Sequence, residues 1–433
     1  MKKVKIALLG LGNVGRGVWN ILCENKDQII KRSGYEVEVA KILVRDKSKN
    51  RGLNVPEETL TTDFEEILND DSIKIVVEVM GGIEPAKDYL LRAMSKKKHI
   101  VTANKMLLAS CGDEVLQKAD EEGVMFYYEA SVAGGIPIIK GISESLTANK
   151  ITELYGIVNG TTNYILSKME LNGEEFNEVL KEAQVKGYAE ADPTADVEGF
   201  DALYKLVILS SLAFGTKVTP DDVYREGISK ITKEDMKFAE EFGMSIKMLA
   251  IAKRKNGSLE LRVHPTMIPD THPLANVYDA FNAVFINGNA VGDLMFYGKG
   301  AGDMPTGSAV VSDIIAILRS NIDIENINPV VKNNLWNMSI RPMGEVESRY
   351  YIRLTVGDKP GVLGQITTIF GSNKVSLKTV IQKGRKDDAN TDVILVLITH
   401  AIKESLLMDA IERLNDLKTV KGVDNIIRIE DFK

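Results

Sequence analysis

Polar and apolar positions divide the chain into three differently patterned stretches. VKIALLGLGNVGRGVWNIL opens on an apolar run, Val4 to Leu9, breaks at glycines and resumes at helical spacing. Further runs follow at Val37 to Val44, in IKIVVEVMGG (73–82) and in KKHIVTANK (97–105), with a helical pattern from Glu84 to Lys96. Nearly continuous apolar strands alternating with helices predict a parallel, doubly wound sheet. MFYYEASVAGGIPII (125–139) begins as a strand and turns through glycines to a proline. NKITELYGIVNGTTNYILSKM (149–169) predicts a strand, a turn at Asn159 to Asn163 and a helix; an amphipathic helix from Glu174 to Lys186 stops at Gly187. Residues 187–198, interrupted by Pro193, are expected to be a loop. The helix expected next, from Gly199 or Phe200 to Gly215, is almost wholly apolar after Lys205, the mark of a buried helix. From Arg349 the order becomes βαββαβ: strand 350–356, helix to Phe370, strands 375–382 and 391–400, helix 404–417, strand 423–430. That order is the ferredoxin-like plan.

The expected fold is therefore α/β: a Rossmann-like doubly wound sheet (1–130, closed by part of 300–335), an α+β catalytic and dimerisation domain (131–333), a linker (334–348) and a ferredoxin-like domain (349–433). A chain of 433 residues accommodates such a division. The net charge of −7 argues against a nucleic-acid surface, and no apolar run is long enough to span a bilayer. MKKVKIALLGLGNVG superficially resembles a signal peptide, but glycines break its apolar run at once, so a cytoplasmic protein is expected. Cys23 and Cys111 make no disulfide framework. The four histidines show no metal spacing; His264 and His272, each before a proline in a loop-like segment, are expected to be structural.

Chemistry concentrates at the ends of the predicted strands. Gly10, Gly12 and Gly15 fit G-x-G-x-x-G between a strand and a helix, the context that dinucleotide binding requires; Leu11, Asn13 and Val14 complete the turn. The second strand ends in Arg45-Asp46. An acid there suits the ribose hydroxyls of NAD and an arginine the extra phosphate of NADP; Arg45 comes first and favours NADP. Gly81, Gly82, Thr102, Asn104 and Lys105 fall at the carboxyl ends of later strands, where ligands collect. Glu129 lies in a strongly apolar run and needs a partner: either a hard cation, with carbonyls of Ser131 to Ile136 as further oxygen ligands, or an N-cap or other hydrogen-bonding role. Asn159-Gly160-Thr161-Thr162-Asn163 either binds a polar ligand or caps its helix.

GYAEADPTADVEGFDALYK (187–205) sets five carboxylates, Glu190, Asp192, Asp196, Glu198 and Asp201, before one lysine. Asp201 and Lys205 stand i,i+4 on one helix face. A surface ion pair would be worth at most about 0.5 kcal/mol. The apolar helix beyond Lys205 instead favours a buried lysine able to exchange a proton, with acids that hold the ammonium group of a small zwitterion.

The run Ala183-x-x-x-Gly187-Tyr188-Ala189-Glu190-x-Asp192-Pro193-Thr194-x-Asp196-Val197-x-Gly199-x-Asp201-x-x-x-Lys205 resembles the signature of homoserine dehydrogenases. GLGNVG, VTANK (101–105), NGTTNY (159–164) and YGKGAGDMPTGSAVVSD (297–313) agree with it in order, so the resemblance covers about residues 1–340. It implies reversible reduction of L-aspartate 4-semialdehyde to L-homoserine with NADPH or NADH, on the route to threonine, methionine and isoleucine. Lys205 would donate the proton and Lys105 assist. Asp201, Asp196 and Glu190, with Thr161 and Gly160, would bind the amino acid or order the lysines. Gly300 would touch the cofactor. Sodium or another monovalent cation would sit at Glu129, Val132, Gly134 and Ile136, the last three through backbone oxygens.

DKPGVL (358–363) resembles the first turn of an ACT domain, a small-molecule sensor. The resemblance implies threonine feedback near Gly361, Val362, Leu363 and Asn373; a dimerisation module that binds nothing is the other reading. The apolar middle domain predicts a homodimer or homotetramer. An aspartate-semialdehyde dehydrogenase would need a cysteine nucleophile, and no suitable motif surrounds Cys111. A non-catalytic sensor is disfavoured by the two lysines and three acids together.

Overall fold

The computed structural model describes residues 2–320, 336–383 and 392–432. Residues 321–335 of the segment expected to close the first domain, the first two residues of the expected linker and residue 391 of an expected strand lie outside the described residues. The chain forms two compact units, one of residues 1–154, 204–222 and 281–337, the other of residues 155–203, 223–280 and 338–433.

The first unit is built on a six-stranded parallel sheet in the order Leu60–Thr61, Tyr35–Leu43, Lys2–Leu9, Ile73–Glu78, His99–Thr102, Phe126–Tyr127. This is the Rossmann order expected from the strand–helix alternation. Ile6, Leu8, Ile75, Val77 and Val101 fill its core, and Val310, Ile314 and Ile317 of the helix Asp303–Arg319 pack into the same cluster. That helix meets the helix Asn13–Glu24 at small residues: a Cβ on Gly17 would lie 1.9 Å from the Asp303 carbonyl oxygen. The strands Phe281–Gly288 and Gly292–Lys299 form an antiparallel hairpin in this unit.

The second unit is a mixed sheet. Met244–Lys255 and Ser258–Pro269 form a long hairpin around Asn256-Gly257, whose φ values of 51° and 80° are those of a type I′ turn. The C-terminal βαββαβ segment follows the ferredoxin-like plan, with strand order Val420–Ile429, Glu347–Gly357, Asp392–Thr399, Leu377–Lys383 and a core of Tyr350, Ile352, Leu354, Ile366, Phe370, Leu397, Leu407 and Leu414. Its last strand pairs in parallel with Ser258–Pro269 (Thr266↔Arg428, Met267↔Ile429), so one sheet runs through both parts of this unit.

Buried polar groups fasten this seam. Asp235 accepts from Tyr351 Oη at 3.0 Å, Arg353 Nε at 2.8 Å and Asn425 Nδ2 at 2.8 Å. Arg262 and Lys253 both pair with Glu430. Burial pushes the Glu430 carboxyl up, but these two cations outweigh it and hold it below its usual value.

Two expectations are corrected. Residues 187–198 are not all loop: Thr194–Val197 form a short helix, whose first turn is closed by Asp192 accepting from the Thr194 N–H at 3.1 Å and its hydroxyl at 2.6 Å. His264 lies in the strand Ser258–Pro269 rather than in a loop, and is fully buried. Burial and the neighbouring Arg428 and Arg262 hold its pKa well below the usual histidine value. His272 does precede a short helix, capping it by accepting from the Leu274 N–H at 3.2 Å.

Candidate active site

In the first unit the strand Lys2–Leu9 ends at Gly10 and the helix Asn13–Glu24 begins two residues after Leu11. Gly10 has φ +108° and packs under the Val79 carbonyl, and a Cβ on Gly15 would lie 2.4 Å from the Gly10 oxygen. Both positions therefore require glycine. A Cβ on Gly12 would meet nothing within 4 Å, so the turn leaves open space where a pyrophosphate would approach the helix N-terminus. Leu11 is buried and anchors the turn. Asn13 and Val14 line a cleft of about 440 Å3 together with Gly81, Gly82, Asn104, Lys105, Gly134, Lys205, Gly300 and Thr306. The fold thus brings the glycine-rich turn and both candidate lysines to one opening.

Each lysine enters the cleft from a helix start. Lys105 is the first residue of the helix Lys105–Glu122, capped by Asn104 Oδ1, which accepts from the Leu107 N–H at 3.1 Å. Lys205 is in the second turn of the helix Phe200–Phe214 and is only 8% exposed. Gly300 is confined: a Cβ there would lie 2.0 Å from the Asn282 side chain.

A buried network underlies this opening, and its central residue was not singled out in the sequence. Glu78, at the end of its strand, is fully buried. Its Oε1 accepts from the N–H groups of Met80 (2.8 Å) and Gly81 (3.2 Å), and its Oε2 from the Thr102 hydroxyl at 2.6 Å. Asn104 Nδ2 donates to the Gly82 oxygen at 2.6 Å. Glu78 thereby ties the left-handed turn at Gly81 and Gly82 to the loop that presents Lys105. Burial raises its pKa. The signal in the sequence was an acid closing an otherwise apolar run, the pattern that also marked Glu129. Thr102 is thus a support of the cleft wall rather than a part of its lining.

Arg45 is exposed just beyond the second strand. Asp46, also exposed, accepts through Oδ1 from the Ser48 N–H at 2.8 Å and hydroxyl at 2.6 Å; these bonds lower its pKa.

Glu129 is buried, and its carboxylate accepts from the N–H groups of Ile139 (2.8 Å) and Lys140 (2.9 Å). Its own N–H donates to Asp313 at 2.9 Å, and Asp313 pairs with Lys140 at 2.7 Å. Burial, aided by the Asp313 charge, pushes Glu129 up to about 7; burial likewise takes Asp313 up to about 6, against the pull of Lys140. The hydrogen-bonding reading of Glu129 is therefore realised. A cation is compatible with the same place, because Glu129 is a buried carboxylate and the stretch holding the buried Val132 and Ile136 is irregular backbone. Among the described residues, no group of three or more His, Cys, Asp or Glu side chains has the arrangement of a metal centre.

Two of the five carboxylates of the 187–205 stretch, Asp196 and Asp201, meet at Asn159 in the second unit. Its Nδ2 donates to Asp196 at 2.7 Å and to Asp201 at 2.9 Å, while its Oδ1 accepts from the Thr162 N–H at 2.8 Å and caps the helix Gly160–Asn172. The turn at 159–163 thus caps its helix and also gathers two acids. Thr161 donates to the Tyr188 oxygen at 2.6 Å, and Gly160 is pressed against the Ala280 oxygen, which a Cβ there would approach to 2.9 Å. Asp201 is buried, whereas Glu190 is exposed. In the C-terminal domain Gly361 caps the helix Val362–Ser372 with φ +90°, Val362 is in the core, Leu363 is 41% exposed, and Asn373 folds back on its helix, donating to the Ile369 oxygen at 2.8 Å.

The family profile for the homoserine dehydrogenase NAD-binding domain matches residues 10–129, that for homoserine dehydrogenase matches residues 137–315, and the ACT domain profile matches residues 350–416. The homoserine dehydrogenase of Pseudomonas aeruginosa is 44% identical over 436 aligned positions, covering 100% of both chains; that of Bacillus subtilis is 42% identical, covering 99% of each. Among solved structures, a homoserine dehydrogenase from Thiobacillus denitrificans superposes with a TM-score of 0.93 at 44% identity, covering 100% of this chain and 99% of that one. A hyperthermophilic archaeal homoserine dehydrogenase in complex with NADPH superposes with a TM-score of 0.62 at 28% identity, covering 72% of this chain and 97% of that one.

Proposed function

The chain belongs to the homoserine dehydrogenase family, and from that premise we propose how its residues divide the reaction between L-aspartate 4-semialdehyde and L-homoserine. The observation that carries the reading is the meeting of the glycine-rich turn with Lys105 and Lys205 in one cleft. Hydride exchange at the carbonyl carbon is the chemistry the dinucleotide supplies when bound. Lys205 holds the proton for the carbonyl oxygen, and its ammonium stabilises the negative charge that grows there. Lys105 assists that transfer from the cofactor side. Asp201 and Asp196, oriented by Asn159, and Glu190 hold the substrate ammonium, with Gly160 and Thr161 shaping the turn beside them.

Gly10 to Gly15, Gly81 and Gly300 cradle the dinucleotide, with Thr102 supporting them. The exposed Arg45, with the neighbouring Asp46 hydrogen-bonded to Ser48, favours NADP over NAD. Glu129 would hold a sodium ion with the carbonyls of Val132, Gly134 and Ile136, fixing the irregular segment that carries them. If so, sodium raises the wild-type melting temperature and does not raise that of Glu129→Ala; equal response of the two proteins refutes the site.

Threonine is the proposed effector of the ACT domain, at Gly361, Val362, Leu363 and Asn373, and lower turnover on adding threonine would support it. The reading also includes a cytoplasmic homodimer or homotetramer on the pathway to threonine, methionine and isoleucine, with domains at 1–130, 131–333 and 349–433. The amino-acid site is tested by Asp201→Asn. Loss of a charge-assisted contact is expected to raise KM for homoserine about tenfold while KM for the dinucleotide stays unchanged. An unchanged KM for homoserine would remove Asp201 from substrate binding.

A further inference from the structure

Residues 224–229 lie between the C-terminal domain and the acidic stretch, and their side chains divide between the two. The segment starts as the short strand Tyr224–Arg225, paired with Arg262 and Val263. Neighbouring residues of an extended chain point to opposite sides. On one side, Arg428 of the last strand donates to Tyr224 Oη at 2.9 Å and to Glu226 at 2.8 Å. The same guanidinium is held by Glu404, with Nε at 2.9 Å, and Tyr350 donates to Glu404 at 3.0 Å. On the other side, Arg225 donates to the Glu198 carbonyl and stacks 3.7 Å from the centre of the Phe200 ring. The Ile228 N–H donates to the Val197 oxygen at 2.9 Å, and the Ser229 hydroxyl to the Glu198 carboxylate at 2.9 Å. Gly227 is so close that a Cβ would lie 2.7 Å from the Val197 oxygen.

Val197, Glu198 and Phe200 are among the residues between Asp196 and Asp201. We propose that residues 224–229 are a positioning strap, which sets the Asp196 and Asp201 carboxylates on the amino acid and ties that setting to Arg428 of the C-terminal domain. The proposal rests on reading those carboxylates as substrate ligands. The strap acts through the backbone of Val197 and Glu198 and the side chain of Glu198. The path is contiguous, from Tyr350 through Glu404, Arg428 and Tyr224 or Glu226 to Glu198, with a hydrogen bond or a covalent step at each link. Coupling along such a path amounts to a several-fold change in affinity.

The test uses the full-length enzyme and pairs Tyr224→Phe with Glu226→Gln, two changes on the side away from the acidic stretch. KM for homoserine is expected to rise about fivefold, with KM for NADP and kcat unchanged. Ser229→Ala, at an exposed position, is the second variant and should shift KM for homoserine in the same direction. An unchanged homoserine KM in both, or equal rises for homoserine and NADP, overturns the strap. Asp201→Asn, measured alongside, separates the two ideas. If it raises the homoserine KM and the strap variants do not, the strap alone is wrong; if it does not, the substrate reading beneath it falls as well.

Discussion

Replacing Lys205 with alanine is expected to lower kcat for homoserine oxidation about a thousandfold while the affinity for the dinucleotide stays close to wild type. Proton transfer from a positioned side chain contributes on the order of 10²–10⁴-fold. A thousandfold loss corresponds to about 4 kcal/mol of transition-state stabilisation. The effect should be large because Lys205 is only 8% exposed, so water has little room to replace its ammonium. It should spare the cofactor because the glycine-rich turn and the Glu78 network do not depend on this side chain. Stopped-flow or steady-state rates together with fluorescence titration of NADPH would separate the two effects. A kcat within a few-fold of wild type would leave Lys105 as the principal acid.

The second large effect concerns stability. Asp235→Ala is expected to cost about 3–5 kcal/mol, the penalty of leaving a buried charge without its partner. Asp235 is fully buried and closes a capping box with Thr232 at the start of the helix Lys233–Glu241. It also accepts from Tyr351, Arg353 and Asn425, which belong to two strands of the C-terminal domain. Without it Arg353, 8% exposed, keeps Asp424 at 3.6 Å as its charged partner among the described residues. For a unit of this size the loss corresponds to a fall of about 10 °C in Tm. Asp235→Asn, which keeps the shape and loses the charge, should fall between. A shift of only one or two degrees in Asp235→Ala would mean that the C-terminal domain is held by sheet pairing and the Glu430 ion pairs, with little from Asp235.

Much of this architecture was legible because it rests on local signals. Continuous apolar strands bounded by glycines foretold the parallel sheet, and the βαββαβ order foretold the ferredoxin-like domain within a few residues at each strand end. Lys105 and Lys205 were legible as candidates because one closes a strand and the other opens an apolar helix, and the two line one cleft, whereas Gly300 came from the family resemblance alone. The long hairpin of the second unit had a local signal too, Asn256-Gly257 between two β-rich runs, though no expectation was drawn from it. His264 reads as a loop residue because prolines lie near it, yet its strand accommodates Pro265. The helix Thr194–Val197 escaped because one turn, preceded by an Asp192–Thr194 side-chain turn, leaves no periodicity to detect. The 224–229 strap depends on contacts between residues far apart in sequence, as between Tyr224 and Arg428, and no local pattern encodes those.

Homoserine-dependent reduction of NADP and of NAD by the purified wild-type protein is the most direct test. Turnover is expected that strictly requires homoserine, with kcat/KM higher for NADP because Arg45 is exposed to meet a phosphate and Asp46 is committed to Ser48. Dinucleotide binding without turnover for either nucleotide would contradict the assignment and leave the protein a sensor.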